Sequence, residues 1–309
     1  MDEFGLIDRF FAGLAPAGKG IDLGVGDDAA LLQPPPGRRL AMTLDTLVAG
    51  CHFLPDADPE GLGHKALAVN LSDLAAMGAE PAWGLLALTL PRIDEAWLTA
   101  FAAGLGALAR RHGVALVGGD TCRGPLALAL QLTGFVDPGR ALRRDGAHPG
   151  DLIFVTGTLG DAALALAGIQ AGRRVSAFLR MRLERPEPRV AEGRALAGIA
   201  SACIDLSDGL ASDLGHLCEA SGCGARVEAA RVPLSPAARR YWDGDWAPIL
   251  AGGDDYELCF TVPPERLDAL AASGVAYTRI GKMVDGSGVT FLDERGQPLP
   301  PMSGYDHFS

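Results

Sequence analysis

Two carboxylates, Asp27 and Asp28, stand side by side in GVGDDAALLQPPPG (residues 24–37), directly after a pair of glycines. Acids behind small residues return at Leu-Ser-Asp (71–73), Gly-Gly-Asp (118–120), Asp-Leu-Ser-Asp (205–208) and Gly-Gly-Asp-Asp (252–255). Taken singly, each reads as a β-turn, a helix N-cap or a solvated loop acid. Taken together they ask for a shared task, because carboxylates in close array repel one another strongly near a protein surface. Such an array persists if it binds cations, if some members are protonated, or if the members are far apart. Mg²⁺ takes hard oxygen ligands and shares them with water and substrate phosphates. Small residues ahead of each acid let the backbone approach a phosphate. Only three lysines occur, Lys19, Lys65 and Lys282, so phosphate charge would be neutralised by metal rather than by lysine. The pattern points to metal-bridged phosphate chemistry.

Two other phosphate motifs fail on their physics. GLAPAGKG (13–20) approaches the phosphate loop G-x-x-x-x-G-K-[ST], but Gly20 stands where the magnesium-holding hydroxyl belongs. GVGDDA (24–29) matches G-x-G-x-x-A, the dinucleotide fingerprint, which should open a helix that cradles pyrophosphate. Its two carboxylates would repel that pyrophosphate, and Pro34, Pro35 and Pro36 stop any helix after about one turn.

The elements that must position these acids follow from periodicity. FGLIDRFFAGL has helical spacing, RLAMTLDTL reads as a strand leading into Asp45, and residues 59–77 read as a helix with Gly78 behind it. WGLLALTL is a buried strand, DEAWLTAFAAGLGALARRHG a helix closed by Gly113, and VALVGGD a strand ending at Asp120. LALALQLTGFV is a further strand, and the polar loop 137–150 is the best boundary. Beyond it LIFVTG, GDAALALAGI, RVAEGRALAGIA, SDGLASDLGHLCEA, ELCFTV, ERLDALAAS, YTRIGK and VTFLD alternate strand and helix character. NLSDLAAMG echoes DLSDGLASDLG, and VGGDT echoes AGGDD. Two α/β (α+β) halves, each bringing acids to a common cleft, are expected.

Composition limits the partners. The 309 residues exceed what one core usually serves, and 48% are hydrophobic. A net charge of −11 excludes general nucleic-acid binding, which rests on clustered Lys and Arg. MDEFGLIDRFF lacks the basic region of a signal peptide, and no uncharged stretch reaches the ~20 apolar residues of a spanning helix. The six cysteines form no C-x-x-C pair and read as cytosolic thiols, mostly buried. His64 and His216 read as helix-face residues, the four tryptophans as packing residues, and Lys65 as either a surface cation or a phosphate neighbour.

GVGDDAAL, TLDTLVAGCHF, GHKALAVNLSDLAAMGAEP, LVGGDTCRGP, VTGTLGDAALAL, IDLSDGLASDLGH, GGDDYELCF and the terminal GYDHF together resemble the thiamine-monophosphate kinase family. That family lies within the superfamily of aminoimidazole-ribonucleotide synthetase and selenophosphate synthetase, and the resemblance covers residues 4–308. It implies an ATP-dependent transferase of thiamine biosynthesis, a cytoplasmic homodimer that makes thiamine diphosphate with several Mg²⁺ ions. The implied magnesium ligands are Asp28, Thr43, Asp45, Asp73, Asp120, Asp205 and Asp208. ATP contacts fall on Gly119, Asp120, Arg144 and Ser207, and contacts to thiamine monophosphate on His52, Asp254 and Tyr305. The implied domains are 1–137, for ATP, Mg²⁺ and dimerisation, and 138–309, completing the nucleotide and substrate site. The N-terminal mixed sheet would pair into a barrel across the homodimer, with a C-terminal α/β domain beside it.

Two residues depart from the family's pattern: Asp254 where Glu is usual, and Leu44 where a hydroxyl residue is common. The acceptor is a phosphate monoester that is already largely dianionic at neutral pH, so no residue is assigned as an acid or base, His52 included. The rivals are another ATP-dependent synthetase of the superfamily and a non-catalytic nucleotide- or thiamine-binding protein. A selenide enzyme would be expected to carry a cysteine in an N-terminal glycine-rich loop, whereas the first cysteine here is Cys51.

Overall fold

The computed structural model describes residues 3–14, 20–302 and 304. It divides into two units: one runs through Leu74 and resumes over Ala79–Gly139, and the other consists of Ala75–Gly78 and the chain from Arg140 onward. The first contains α1 (Glu3–Phe10), β1 (Ile21–Leu23), β2 (Leu31–Leu32), β3 (Arg39–Val48), α2 (Pro59–Ala76), β4 (Glu80–Leu90), α3 (Glu95–His112), β5 (Ala115–Arg123) and β6 (Ala127–Val136). The second contains β7 (Leu152–Val155), α4 (Asp161–Gln170), α5 (Ala177–Glu184), α6 (Val190–Leu196), β8 (Ala202–Asp205), α7 (Leu210–Ser221), β9 (Gly224–Glu228), α8 (Pro236–Tyr241), α9 (Ala247–Leu250), β10 (Leu258–Val262), α10 (Leu267–Ala272), β11 (Thr278–Val284) and β12 (Gly288–Leu292).

In the first unit the sheet order is β3-β6-β4-β5, antiparallel except for the parallel pair β4–β5. Alternation along β3 does what its sequence requires. Ala41, Thr43, Asp45 and Leu47 are covered to varying degrees, while Leu40, Met42, Leu44, Thr46 and Val48 are exposed. The helix α2 is apolar on nearly all sides, and its residues Ala66, Leu67, Ala68, Val69, Leu71, Leu74 and Ala75 are buried. The start of α3 is fixed by Asp94, whose carboxylate accepts the N–H groups of Ala96 and Trp97, both at 3.1 Å. Its end carries Arg110, Arg111 and His112 against the helix dipole, followed by Gly113 in the left-handed region.

Pairing of β1 with β2 makes a hairpin around the Asp27–Asp28 turn, where the glycines and prolines of the sequence alone predict a loop. Ile21, Ala30 and Leu32 of this hairpin pack on a small cluster built round Trp83 and Phe135, whose rings meet edge to face at 5.0 Å.

The second unit is a six-stranded sheet of order β12-β9-β11-β7-β10-β8, antiparallel except for β12–β9. Its core joins Ile153, Val155, Ile204, Leu206, Leu210, Leu214, Leu217, Ile249, Cys259 and Ile280. Each fully buried aliphatic side chain contributes about 1.5–3 kcal/mol relative to exposure. None of the six cysteines is in a disulfide: Cys203, Cys218, Cys223 and Cys259 are buried, Cys51 and Cys122 exposed.

Candidate functional site

In the first unit, Thr43 and Asp45 lie two residues apart on β3 and so share one face of the strand. The Thr43 hydroxyl donates to Oδ2 of Asp73 on α2. Thr43, Asp45 and Asp73 therefore form one oxygen-lined edge where the β3 strand meets the α2 helix. Asp28 lies on the hairpin turn, exposed, with its N–H donating to Oδ1 of Asp27 at 2.8 Å. Asp120 lies on β5, at the opposite edge of the four-stranded sheet from Asp45. Three strand spacings separate those edges, about 14 Å, so this unit alone does not gather Asp45 and Asp120. Beside Asp120, Gly119 has φ 151°, and a Cβ there would stand 1.9 Å from the Leu86 carbonyl oxygen. No other residue type fits that close approach.

After β3 the chain turns tightly through residues 48–53. The Val48 N–H donates to Nδ1 of His52 at 3.1 Å, which makes Nδ1 an acceptor and places the neutral ring's proton on Nε2. His52 is thereby set as a hydrogen-bond donor rather than a base. Lys65, 4% exposed, donates to the His52 carbonyl at 3.5 Å. The surface-cation alternative for Lys65 falls, because the side chain is buried and ties α2 to the His52 turn.

In the second unit, β8 delivers Asp205 and runs into Leu206, Ser207 and Asp208 before α7. Asp213, in the first turns of α7, accepts the Asp208 N–H at 3.0 Å. Burial pushes the Asp213 carboxyl up to about 8, with the charges of Asp205 and Asp208 adding to the rise. The charges of Asp205 and Asp208 thus lie close enough to Asp213 to disfavour its ionisation. The glycine-rich segment 252–257 is stapled to this loop. The Asp254 N–H donates to the Ser207 carbonyl at 2.9 Å, Tyr256 N–H to Leu206 at 2.8 Å, and Leu206 N–H to Glu257 at 2.8 Å. A Cβ on Gly253 would stand 2.4 Å from the Ser207 carbonyl oxygen. The acid loop 205–208 and the acid segment 252–257 are one backbone-bonded structure.

Behind it lies a buried ion network. Glu257 accepts Arg189 through both oxygens at 2.6 Å, Arg182 at 2.8 Å and the Thr156 hydroxyl at 2.6 Å. Asp255 accepts the Gly160 N–H at 2.9 and 3.1 Å. Burial pushes its carboxyl well above the ordinary range, against the pull of that N–H and of Arg182.

Arg144 is exposed, and its carbonyl accepts from the Ser221 hydroxyl at 2.7 Å. Tyr305 lies outside the described residues. The sequence reading did not single out Asp213, Tyr256 or the Arg182–Arg189–Glu257 network. Asp213 had a signal in SDGLASDLG, a second acid one turn into the helix; the network had none, because its partners lie 68 and 75 residues apart.

Among the described residues, no group of three or more His, Cys, Asp or Glu could hold a metal by itself. Mg²⁺ does not require such a cage, since one or two carboxylates plus water and substrate phosphates complete its shell. The donors present are hard oxygens, and the mutual repulsion recorded at Asp213 is what a cation relieves. The residues fit magnesium.

Comparison with known proteins places this geometry. The family model "AIR synthase related protein, N-terminal domain" matches residues 26–136, and the corresponding C-terminal domain matches residues 148–294. A protein of Salmonella typhimurium called thiamine-monophosphate kinase is 52% identical over 99% of this chain and 98% of its own length. A crystal structure of thiamine-monophosphate kinase from Stenotrophomonas maltophilia is 47% identical, covers 97% of this chain and 98% of that one, and has a TM-score of 0.88. A structure described as AaThiL complexed with AMPPCP and TMP is 32% identical, covers 99% and 97%, and has a TM-score of 0.80.

Proposed function

The chain belongs to the thiamine-monophosphate kinase family of AIR synthase related proteins and phosphorylates thiamine monophosphate to thiamine diphosphate with ATP; we propose that it does so by direct in-line transfer. Full-length identity of 52% to a thiamine-monophosphate kinase carries the reading, and the AaThiL structure with AMPPCP and TMP supports a site for nucleotide and acceptor together. The synthetase and binding-protein rivals are not favoured.

Asp28, Thr43, Asp45, Asp73, Asp120, Asp205 and Asp208 would hold magnesium, which would supply charge neutralisation at the triphosphate. The Thr43–Asp73 hydrogen bond supports this assignment, because it brings two of the oxygens together. Gly119 offers its backbone, and Arg144 and Ser207 their donors, to the nucleotide. His52, with its proton on Nε2, donates to the acceptor. Asp254 and Tyr305 take the thiamine end, one as a hydrogen-bond acceptor and one as an aromatic surface for the cationic ring. The acceptor phosphate has a second pKa of about 6 and is its own nucleophile at neutral pH. Residues 1–137 would carry Asp28, Thr43, Asp45, Asp73 and Asp120 and serve ATP, magnesium and dimerisation, and residues 138–309 would bring Asp205 and Asp208 and complete the nucleotide and substrate site.

The assembly is a homodimer in which two β3-β6-β4-β5 sheets close into a barrel. Its support is the uncovered apolar face: Met42 is 66% exposed, Leu44 63%, Leu40 49% and Leu85 41%. Leu44 and Leu85 flank Gln131 in register across three strands, so the face extends across the sheet with one amide between its two leucines. Closure would also remove the exposed strand edges. No helix among the described residues is long and apolar enough to cross a membrane, and free buried thiols support a reducing, cytoplasmic setting.

An acceptor panel tests the reading. With ATP and Mg²⁺, thiamine monophosphate should be phosphorylated, while formylglycinamidine ribonucleotide and selenide should not be consumed. Turnover of either of the latter in preference would replace the kinase with a synthetase.

A further inference from the structure

Asp254 and Tyr256 have φ of 70° and 50°, the positive-φ non-glycine residues among those described. Side chains pay about 1 kcal/mol or more for that conformation, and it persists only where the surroundings over-determine it. Here they do. The backbone on either side is bonded to residues 206 and 207, and Asp255 and Glu257 are sunk into the buried network at 1% and 0% exposure. Asp254 stays partly exposed, and the Tyr256 hydroxyl donates to its Oδ1 at 3.0 Å. The tyrosine ring is itself 8% exposed, so its hydroxyl reaches the acid from a packed frame.

We propose that Tyr256 is a positioning residue for the phosphate acceptor: its hydroxyl holds the Asp254 carboxylate in the one rotamer that meets the thiamine moiety. This rests on the assignment of Asp254 to the acceptor made above. An aspartate reaches one methylene less far than a glutamate, so its direction decides whether it meets its partner. The left-handed backbone at both residues brings hydroxyl and carboxylate together over a single intervening residue. That residue, Asp255, accepts the Gly160 N–H and so anchors the turn to the start of α4.

The test is a double-mutant cycle in the full-length enzyme, with Tyr256→Phe, Asp254→Ala and the pair, reading KM for thiamine monophosphate, KM for ATP, kcat and melting temperature. Phenylalanine keeps the packed ring and removes only the donor. Tyr256→Phe should raise the acceptor KM about tenfold, the lower end of what a hydrogen bond to a charged group is worth, with KM for ATP and kcat unchanged. Adding Tyr256→Phe to Asp254→Ala should change nothing further. If Asp254→Ala raises the acceptor KM and Tyr256→Phe does not, the positioning role is wrong while the acceptor assignment stands. If Tyr256→Phe acts equally in the Asp254→Ala background, or lowers the melting temperature without touching KM, the hydroxyl works through something else and the proposal is overturned. If Asp254→Ala leaves the acceptor KM unchanged, the assignment of Asp254 falls and this inference falls with it.

Discussion

Asp213 is 3% exposed and faces two other acids, so removing its charge tests the crowding directly. Its carboxyl is pushed from the ordinary 3.8 up to about 8, first by burial and then by Asp205 and Asp208. The folded value lies above the unfolded one, so this position costs nothing below the unfolded value and loses stability as pH rises toward the folded one. The loss is about 1.4 kcal/mol per pH unit within that window. Between pH 6 and 7.5 it amounts to about 2 kcal/mol, because the folded carboxyl begins to ionise near the upper limit. At about 2–4 °C per kcal/mol for a domain of this size, the melting temperature of metal-free protein should fall by about 4–8 °C from this group. Asp213→Asn does not titrate and still accepts the Asp208 N–H, so its melting temperature should fall less over the same range. At pH 7.5 the variant should be the more stable of the two. The assay is thermal unfolding of chelator-treated protein at both pH values, repeated with millimolar Mg²⁺, which should raise the wild-type value at pH 7.5 and flatten its slope. An Asn variant with the wild-type pH slope, or one destabilised at both pH values, would refute the reasoning.

Glu257→Gln takes their shared carboxylate from buried Arg182 and half-buried Arg189, leaving only the longer pairs to Asp161 and Glu192, and should cost about 3 kcal/mol in urea unfolding; a loss below ~1 kcal/mol would mean that the network is not the anchor of residues 254–256. Leu44→Glu places a charge in the middle of the exposed face of β3 and should convert the proposed dimer to a monomer by light scattering; a wild-type chain that is monomeric at micromolar concentration removes the barrel. The acid limb of kcat/KM should follow acceptor ionisation near pH ~6, and His52→Gln should raise the acceptor KM; a loss in kcat of several orders of magnitude with normal binding would instead make His52 a base.

What the sequence disclosed depends on how local the cause is. The β3 strand was legible because alternation is a two-residue property, and α3 because Asp94 and Gly113 mark its ends within one turn. The five acid turns were legible as a pattern, yet their grouping was not. Sheet order places Asp45 and Asp120 on opposite edges, and no spacing in the chain encodes that order. Thr43 meets Asp73 across 30 residues, an approach that only the packing of α2 on the sheet creates. The β1–β2 hairpin passed unseen because strands of three and two residues give periodicity too little room. The strain at Asp254 and Tyr256 is invisible in sequence for a plain reason: the positions that take positive φ there are not glycines.

The central claim is tested most directly by following ATP, Mg²⁺ and thiamine monophosphate with the purified chain by phosphorus NMR. The account predicts that ADP and thiamine diphosphate appear in a one-to-one ratio, with no inorganic phosphate released on the way. ATP consumed to ADP and inorganic phosphate while thiamine monophosphate persists, or no consumption of ATP at all, would contradict it.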